Sequence, residues 1–129
     1  MNLEIKMLAW TVALGLAQLA VQASFSVLRR GLAWGAGPRD GDTPAMGGVG
    51  ARFERALRNL LETVPFFAAA ALAVTLTHRN DDGTALGAQL YFWSRLVYVG
   101  LYAAGVPYLR TAVWTVSMVG IVKVLLPLF

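Results

Sequence analysis

The stretch Arg55-Ala56-Leu57-Arg58-Asn59-Leu60-Leu61-Glu62, followed by the apolar run from Thr63 to Thr77, decides how this chain is built. Between Glu62 and His78 there are too few apolar residues to cross a bilayer core of about 30 Å at about 1.5 Å per residue. The helix must therefore reach back through Glu62, Asn59 and Arg55, which draws two arginines, an amide and a carboxylate into a spanning element. Ionisable groups are costly inside a membrane and tend to face a bundle interior or a wet cavity when they occur there. A polar pocket inside an otherwise greasy protein is the first expectation.

The rest of the chain has the same character. Of 129 residues, 57% are hydrophobic and only 14% charged, where a soluble domain carries about a quarter. The mean hydropathy is +0.59. This composition predicts an all-α integral membrane protein, one domain over 1–129 made as a bundle of four spanning helices. The absence of cysteine excludes a disulfide framework, a thiolate metal site and a cysteine nucleophile, and leaves the redox compartment unread. A net charge of +4 does not point to nucleic acid, because the basic residues are mainly arginines flanking apolar runs. No metal-ligand spacing is present, and His78, beside charged residues after the second span, reads as a solvated cap.

Helices are expected over about 3–30, 52–78, 84–105 and 107–129. Uncharged residues run from Met7 to Leu28 before Arg29 and Arg30 stop the first span. Val21-Gln22-Ala23 resembles a cleavage site loosely, but Glu4 offsets Lys6 and the apolar run is long, so the segment reads as a retained helix. A loop rich in Gly, Pro and Asp fills about Gly31 to Gly50. Pro65 is placed where it can kink the second helix. Gly105-Val106-Pro107 is a tight break, with proline suited to the first turn of the fourth helix. Arginine is concentrated in the first loop and its flanks, with Lys6 and Arg79 opposite. The positive-inside rule then puts both termini outside and the Arg55–Glu62 run in the cytosolic half.

Three further patterns bear on function. On the third helix Tyr91, Arg95, Tyr98 and Tyr102 fall in a sector of roughly 60°, at about 100° per residue. This stripe is either an interhelical network, with Arg95 paired to Glu62, or the wall of a site for an anionic or zwitterionic ligand. Tyr102 and Arg110 flank the 105–107 turn, so both are expected at the cytosolic mouth beside Arg55, Arg58, Asn59 and Glu62. On the first helix, Gln18, Gln22 and Ser26 form a hydrogen-bonding stripe, and Ala9, Ala13 and Ala17 a small-residue ridge that permits close helix approach. Trp10, Trp34, Trp93 and Trp114 read as interfacial anchors or filling, with Trp114 one turn from Arg110.

These residues resemble the MAPEG family, the membrane-associated proteins in eicosanoid and glutathione metabolism, over essentially the whole chain. The pattern Arg-Ala-x-x-Asn-x-x-Glu stands here as Arg55, Ala56, Asn59 and Glu62, followed by Pro65 and Phe66. Arg95, Tyr98 and Tyr102 on helix three and Arg110 on helix four complete it. The resemblance implies a homotrimer in membrane lipid, with glutathione as co-substrate bound between neighbouring subunits on the cytosolic side. It implies that Arg55, Arg58, Asn59 and Glu62 hold the tripeptide's charged ends, that Tyr98 and Tyr102 line the site, and that Arg110 faces the thiol. Arg95 matches a family arginine deeper in the helix, and the family's first-helix arginine matches Arg29 or Arg30. Thr111 stands where a relative, the microsomal prostaglandin E synthase, has a serine near the thiol; Trp114 replaces that enzyme's tyrosine.

The implied activity is a glutathione-dependent transferase or peroxidase acting on lipophilic electrophiles or lipid hydroperoxides, with Arg110 and Thr111 as catalytic residues. A free thiol has a pKa of about 8.5 and reacts as the thiolate, so a nearby arginine assists it. The rival reading is a non-enzymatic trimeric scaffold or amphiphile-binding protein whose polar faces serve assembly. An alanine-rich chain without cysteine is expected in a bacterial inner membrane.

Overall fold

A computed structural model describes residues 2–31, 33, 35, 37, 38 and 48–129. The structure has four helices among these residues: α1 (Leu3–Arg30), α2 (Gly48–Leu76), α3 (Asp82–Ala104) and α4 (Pro107–Leu125), then a single 3-10 turn, Leu126–Leu128. No strand occurs among the described residues. The loop expected between the first two helices, with Trp34 and Arg39, lies mostly outside them.

Helix α2 begins at Gly48, four residues before the expected start, and is 29 residues long, about 43 Å at the standard rise. It reaches back past Arg55, as the short apolar run requires. Pro65 lies within it and the helix continues on both sides. Helix α3 starts at Asp82, two residues before expectation, because Asp81 and Thr84 form a reciprocal capping box. The Asp81 carboxylate accepts from the Thr84 backbone N–H at 2.8 Å, and the Thr84 hydroxyl accepts from the Asp81 N–H at 2.8 Å. At its other end Gly105 sits at φ 79, a left-handed C-cap that side chains with a Cβ rarely adopt, and Pro107 opens α4.

Leu3–Arg30, Gly48–Leu76 and Pro107–Leu128 are each long and apolar enough to cross a membrane. Helix α3, at 23 residues, is long enough too. Its mean hydropathy is lowered by Tyr91, Ser94, Arg95, Tyr98 and Tyr102 on the face it turns partly inward, and by Gln89 on the opposite face.

The helices run up and down, with the two ends tied differently. At one end Thr84 donates to the buried Glu4 carboxylate at 2.7 Å, and Arg79 donates to the Pro127 carbonyl at 3.0 Å. His78 is exposed there at φ 57, closing α2. At the other end Glu54 of α2 meets Arg30 of α1 at 3.2 Å. The core between contains Met7, Phe67, Ala70, Ala71, Val74, Ala88, Tyr91, Phe92 and Val124. Helices α3 and α4 pack most extensively, and they touch through glycines. A Cβ on Gly87 would lie 2.6 Å from the Gly120 carbonyl oxygen, and one on Gly120 2.6 Å from that of Gly87.

Candidate functional site

The Arg55–Glu62 run forms one continuous wall. At about 100° per residue, Arg58, Glu62, Arg55 and Asn59 succeed one another across a sector of about 100° on α2. Arg58 and Glu62 line a groove of about 400 Å³ with Gln22, Glu54, Leu57 and Leu61. Asn59, on the other edge, lines a cleft of about 210 Å³ with Tyr98, Arg110, Thr111 and Trp114. Arg55 stands between the two.

The 105–107 turn makes the cleft. By reversing the chain tightly it lays the Arg110 guanidinium over the Tyr102 ring, 4.3 Å from its centroid. From the other side Arg55 Nε donates to the Tyr102 hydroxyl at 3.1 Å. One phenol thus gathers a cation from α2 and another from α4. Among the described residues neither Arg55 nor Arg110 has a carboxylate within salt-bridge distance, whereas Glu54 engages Arg30 at 3.2 Å and the largely exposed Arg58 at 3.9 Å. Two arginines without acids beside a small polar cleft are suited to an anion carrying more than one charge.

Behind this wall sits Arg95, 1% exposed, its guanidinium 4.2 Å from the centre of the Tyr98 ring. Its Nη2 donates to Asn59 Oδ1 at 2.8 Å. The pairing of Arg95 with Glu62 considered from the sequence gives way to Asn59. The two helices are rotated so that the amide faces the arginine, while Glu62 is exposed. Arg95 does not line the cleft; it touches two residues that do.

Tyr91 also departs from the expectation of a wall. It is fully buried, hydrogen-bonded through its hydroxyl to Thr63 Oγ1 at 2.8 Å and stacked on Phe67 with ring centres 4.2 Å apart. It shares a helix face with Tyr98 but lies two turns deeper, where α2 closes over it. Tyr98 and Tyr102 meet edge to face, 5.6 Å apart. Thr111 is in the cleft, but its hydroxyl donates to the Pro107 carbonyl at 3.2 Å, so its oxygen is what it offers as acceptor. Of the first-helix arginines, Arg30 turns to Glu54 and Arg29 is exposed. The alanines at 13 and 17 line an outward apolar groove with Trp10, Phe92 and Trp93, and so do not seal two helices of this chain together.

One contributor escaped the sequence reading. Arg52, one turn before Arg55, donates from Nη1 to the Ala103 carbonyl at 3.3 Å, capping the C-terminal end of α3 beside Gly105. Its spacing of three from Arg55 was the available signal. No group of three or more His, Cys, Asp or Glu residues that could hold a metal occurs among the described residues.

Comparison with protein families gives a match to a family model described as the MAPEG family over residues 7–128. No curated protein and no solved structure matches the chain.

Proposed function

The chain belongs to the MAPEG family, membrane-associated proteins in eicosanoid and glutathione metabolism, and from that premise we propose that it is a glutathione-dependent transferase or peroxidase acting on lipophilic electrophiles or lipid hydroperoxides. The observation that carries the proposal is the convergence of Arg55 and Arg110 on Tyr102 beside the cleft of Asn59, Tyr98, Thr111 and Trp114.

Glutathione has two carboxylates, one ammonium and one thiol. Its size exceeds a cleft of about 210 Å³, so it needs the adjoining groove as well. The α2 wall connects the two spaces and changes sign along its length. In this reading Glu62, in the groove, takes the ammonium, while Arg55 and Arg58 take carboxylates and Asn59 adds an amide. Tyr98 and Tyr102 line the site, and Arg110 faces the sulfur, where its positive charge favours the thiolate over the thiol. The site is completed by a second copy of the chain in a homotrimer, with the exposed Arg29 reaching across, since Arg30 is engaged by Glu54 of its own chain.

In the transfer reaction the thiolate sulfur bonds to an electrophilic carbon and the leaving group departs with the bonding pair. In the peroxidase reaction the sulfur attacks the distal peroxide oxygen, the O–O bond breaks, and the departing alkoxide takes a proton. The sulfenic acid so formed condenses with a second glutathione to give disulfide and water. The apolar co-substrate enters from the bilayer.

The purified protein in nanodiscs should show thiolate absorbance on adding glutathione and should conjugate a chlorodinitrobenzene or reduce a fatty-acid hydroperoxide. Absence of all three signals excludes the proposal. The tie of Glu54 to Arg30 favours the alternative, a non-enzymatic trimeric scaffold or amphiphile-binding protein, since it has polar groups joining two helices. In that case Arg55→Ala and Glu62→Ala would dissociate the assembly; under the enzymatic reading they keep it and lose glutathione.

A further inference from the structure

We infer that Arg95 is a positioning residue, which fixes the Asn59 amide with its N–H donors toward the cleft and holds the Tyr98 ring in place; the inference rests on the glutathione reading of that cleft. Arginine has five N–H donors and no acceptor. The Asn59 atom 2.8 Å from Arg95 Nη2 must therefore be the carbonyl oxygen. With Oδ1 held from behind, the half of the amide left for the cleft is Nδ2, a pair of donors suited to an anion. A free asparagine could present either half. Arg95 removes that choice.

The cost of this arrangement argues that it serves the ligand. Arg95 is 1% exposed, and its Nε and Nη1 have no hydrogen-bond partner among the described residues. Among the described residues no carboxylate lies within salt-bridge distance of it. A buried charge without an acid is destabilising, and an apolar side chain of similar volume at such a place is often neutral or better for stability. Structure alone does not ask for an arginine here. What it touches are two of the five residues lining the cleft, Asn59 by a hydrogen bond and Tyr98 by stacking.

The test compares wild type, Arg95→Met, Arg95→Lys, Asn59→Ala and Asn59→Asp, assembled in nanodiscs and titrated calorimetrically with glutathione. Arg95→Met is expected to melt at or above the wild-type temperature while binding glutathione about tenfold more weakly, and Arg95→Lys to recover most of that loss. Asn59→Asp satisfies the buried guanidinium but turns an acceptor toward the ligand, so it should bind more weakly than Asn59→Ala although it is the more stable. Arg95→Met binding within twofold of wild type overturns the inference. If Arg95→Met does not fold, the asparagine pair decides: equal or tighter binding by Asn59→Asp overturns it. Should wild type itself not bind glutathione, the functional reading falls separately. The labelled Asn59 side-chain amide signals then judge this inference: unaltered amide rotation and solvent exchange in Arg95→Met would overturn it.

Discussion

Arg110 and Tyr102, eight residues apart on two different helices, lie face to face, the guanidinium 4.3 Å from the centre of the ring. The turn at Gly105 is what permits it. The hydroxyl of the same tyrosine accepts a hydrogen bond from Arg55, so the position of one phenol couples the helix that opens the cleft to the helix that closes it.

Replacing Arg110 by Ala separates catalysis from binding. A group that stabilises developing or full negative charge on the sulfur contributes on the order of 10²-fold to turnover. Arg110→Ala should lower kcat by about that factor and abolish thiolate absorbance, with a smaller rise in the glutathione Kd. Stopped-flow absorbance and steady-state kinetics check it; unchanged turnover removes Arg110 from the mechanism.

Tyr102→Phe keeps the ring beneath Arg110 but deletes the acceptor for Arg55. Because Arg55 is exposed to solvent, the coupling between the two is expected to stay under about 1 kcal/mol. KM for glutathione should rise a few-fold with kcat nearly intact. A double-mutant cycle with Arg55→Ala should show less than additive losses, and full additivity would mean the hydrogen bond plays no part in binding.

Thr63→Val tests the assignment of Tyr91 to the core. The substitution leaves the buried phenol without its partner at 2.8 Å, at a cost of about 1–3 kcal/mol. Tyr91→Phe, which removes the polar group itself, should cost less, and the double mutant least relative to the sum. Thermal unfolding measures all three. Glutathione turnover at a temperature where each is folded should match wild type; loss of activity in Tyr91→Phe would return Tyr91 to the site.

How far the sequence reveals this molecule follows from what spacing along a chain can encode. Apolar run length is local, so the four helices were legible, as were Gly105 and Pro107 at the turn between α3 and α4. That Arg110 and Tyr102 come to the same end of the bundle was also legible, since both are near that turn; their stacking was not. The identity of Arg95's partner was not. It depends on how α2 and α3 are rotated against each other, and a helical stripe on one element carries no such angle. Asn59 and Glu62 are one turn apart on the same face, and only packing distinguishes the amide that bonds from the acid that remains exposed. Tyr91 fails for the same reason: its stripe is shared with Tyr98, but depth decides whether Thr63 or a ligand meets the hydroxyl. Helix α3 starts two residues before the expected position because the Asp81–Thr84 box extends it by capping.

The α3–α4 crossing gives the sharpest prediction about stability. Added methyl groups would stand 2.6 Å from a carbonyl oxygen at either Gly87 or Gly120, and the Gly120 methyl would also lie 2.8 Å from the Tyr91 backbone nitrogen. These neighbours are backbone atoms of packed helices, so they cannot swing aside as a flexible side chain would. Gly120→Ala should therefore force α4 away from α3 at a cost of about 1–3 kcal/mol, despite alanine's better helix propensity. The hinge of that displacement is the Gly105 turn, and Arg110 sits close to it on the displaced helix. Gly120→Ala should lower the melting temperature and, while still folded, reduce thiolate formation by shifting Arg110 off Tyr102. Gly100 supplies the control, because a Cβ there meets nothing within 4 Å. Gly100→Ala is expected to leave both properties unchanged or slightly improve stability, and equal effects of the two substitutions would show that the glycine contact is not what sets the helix spacing.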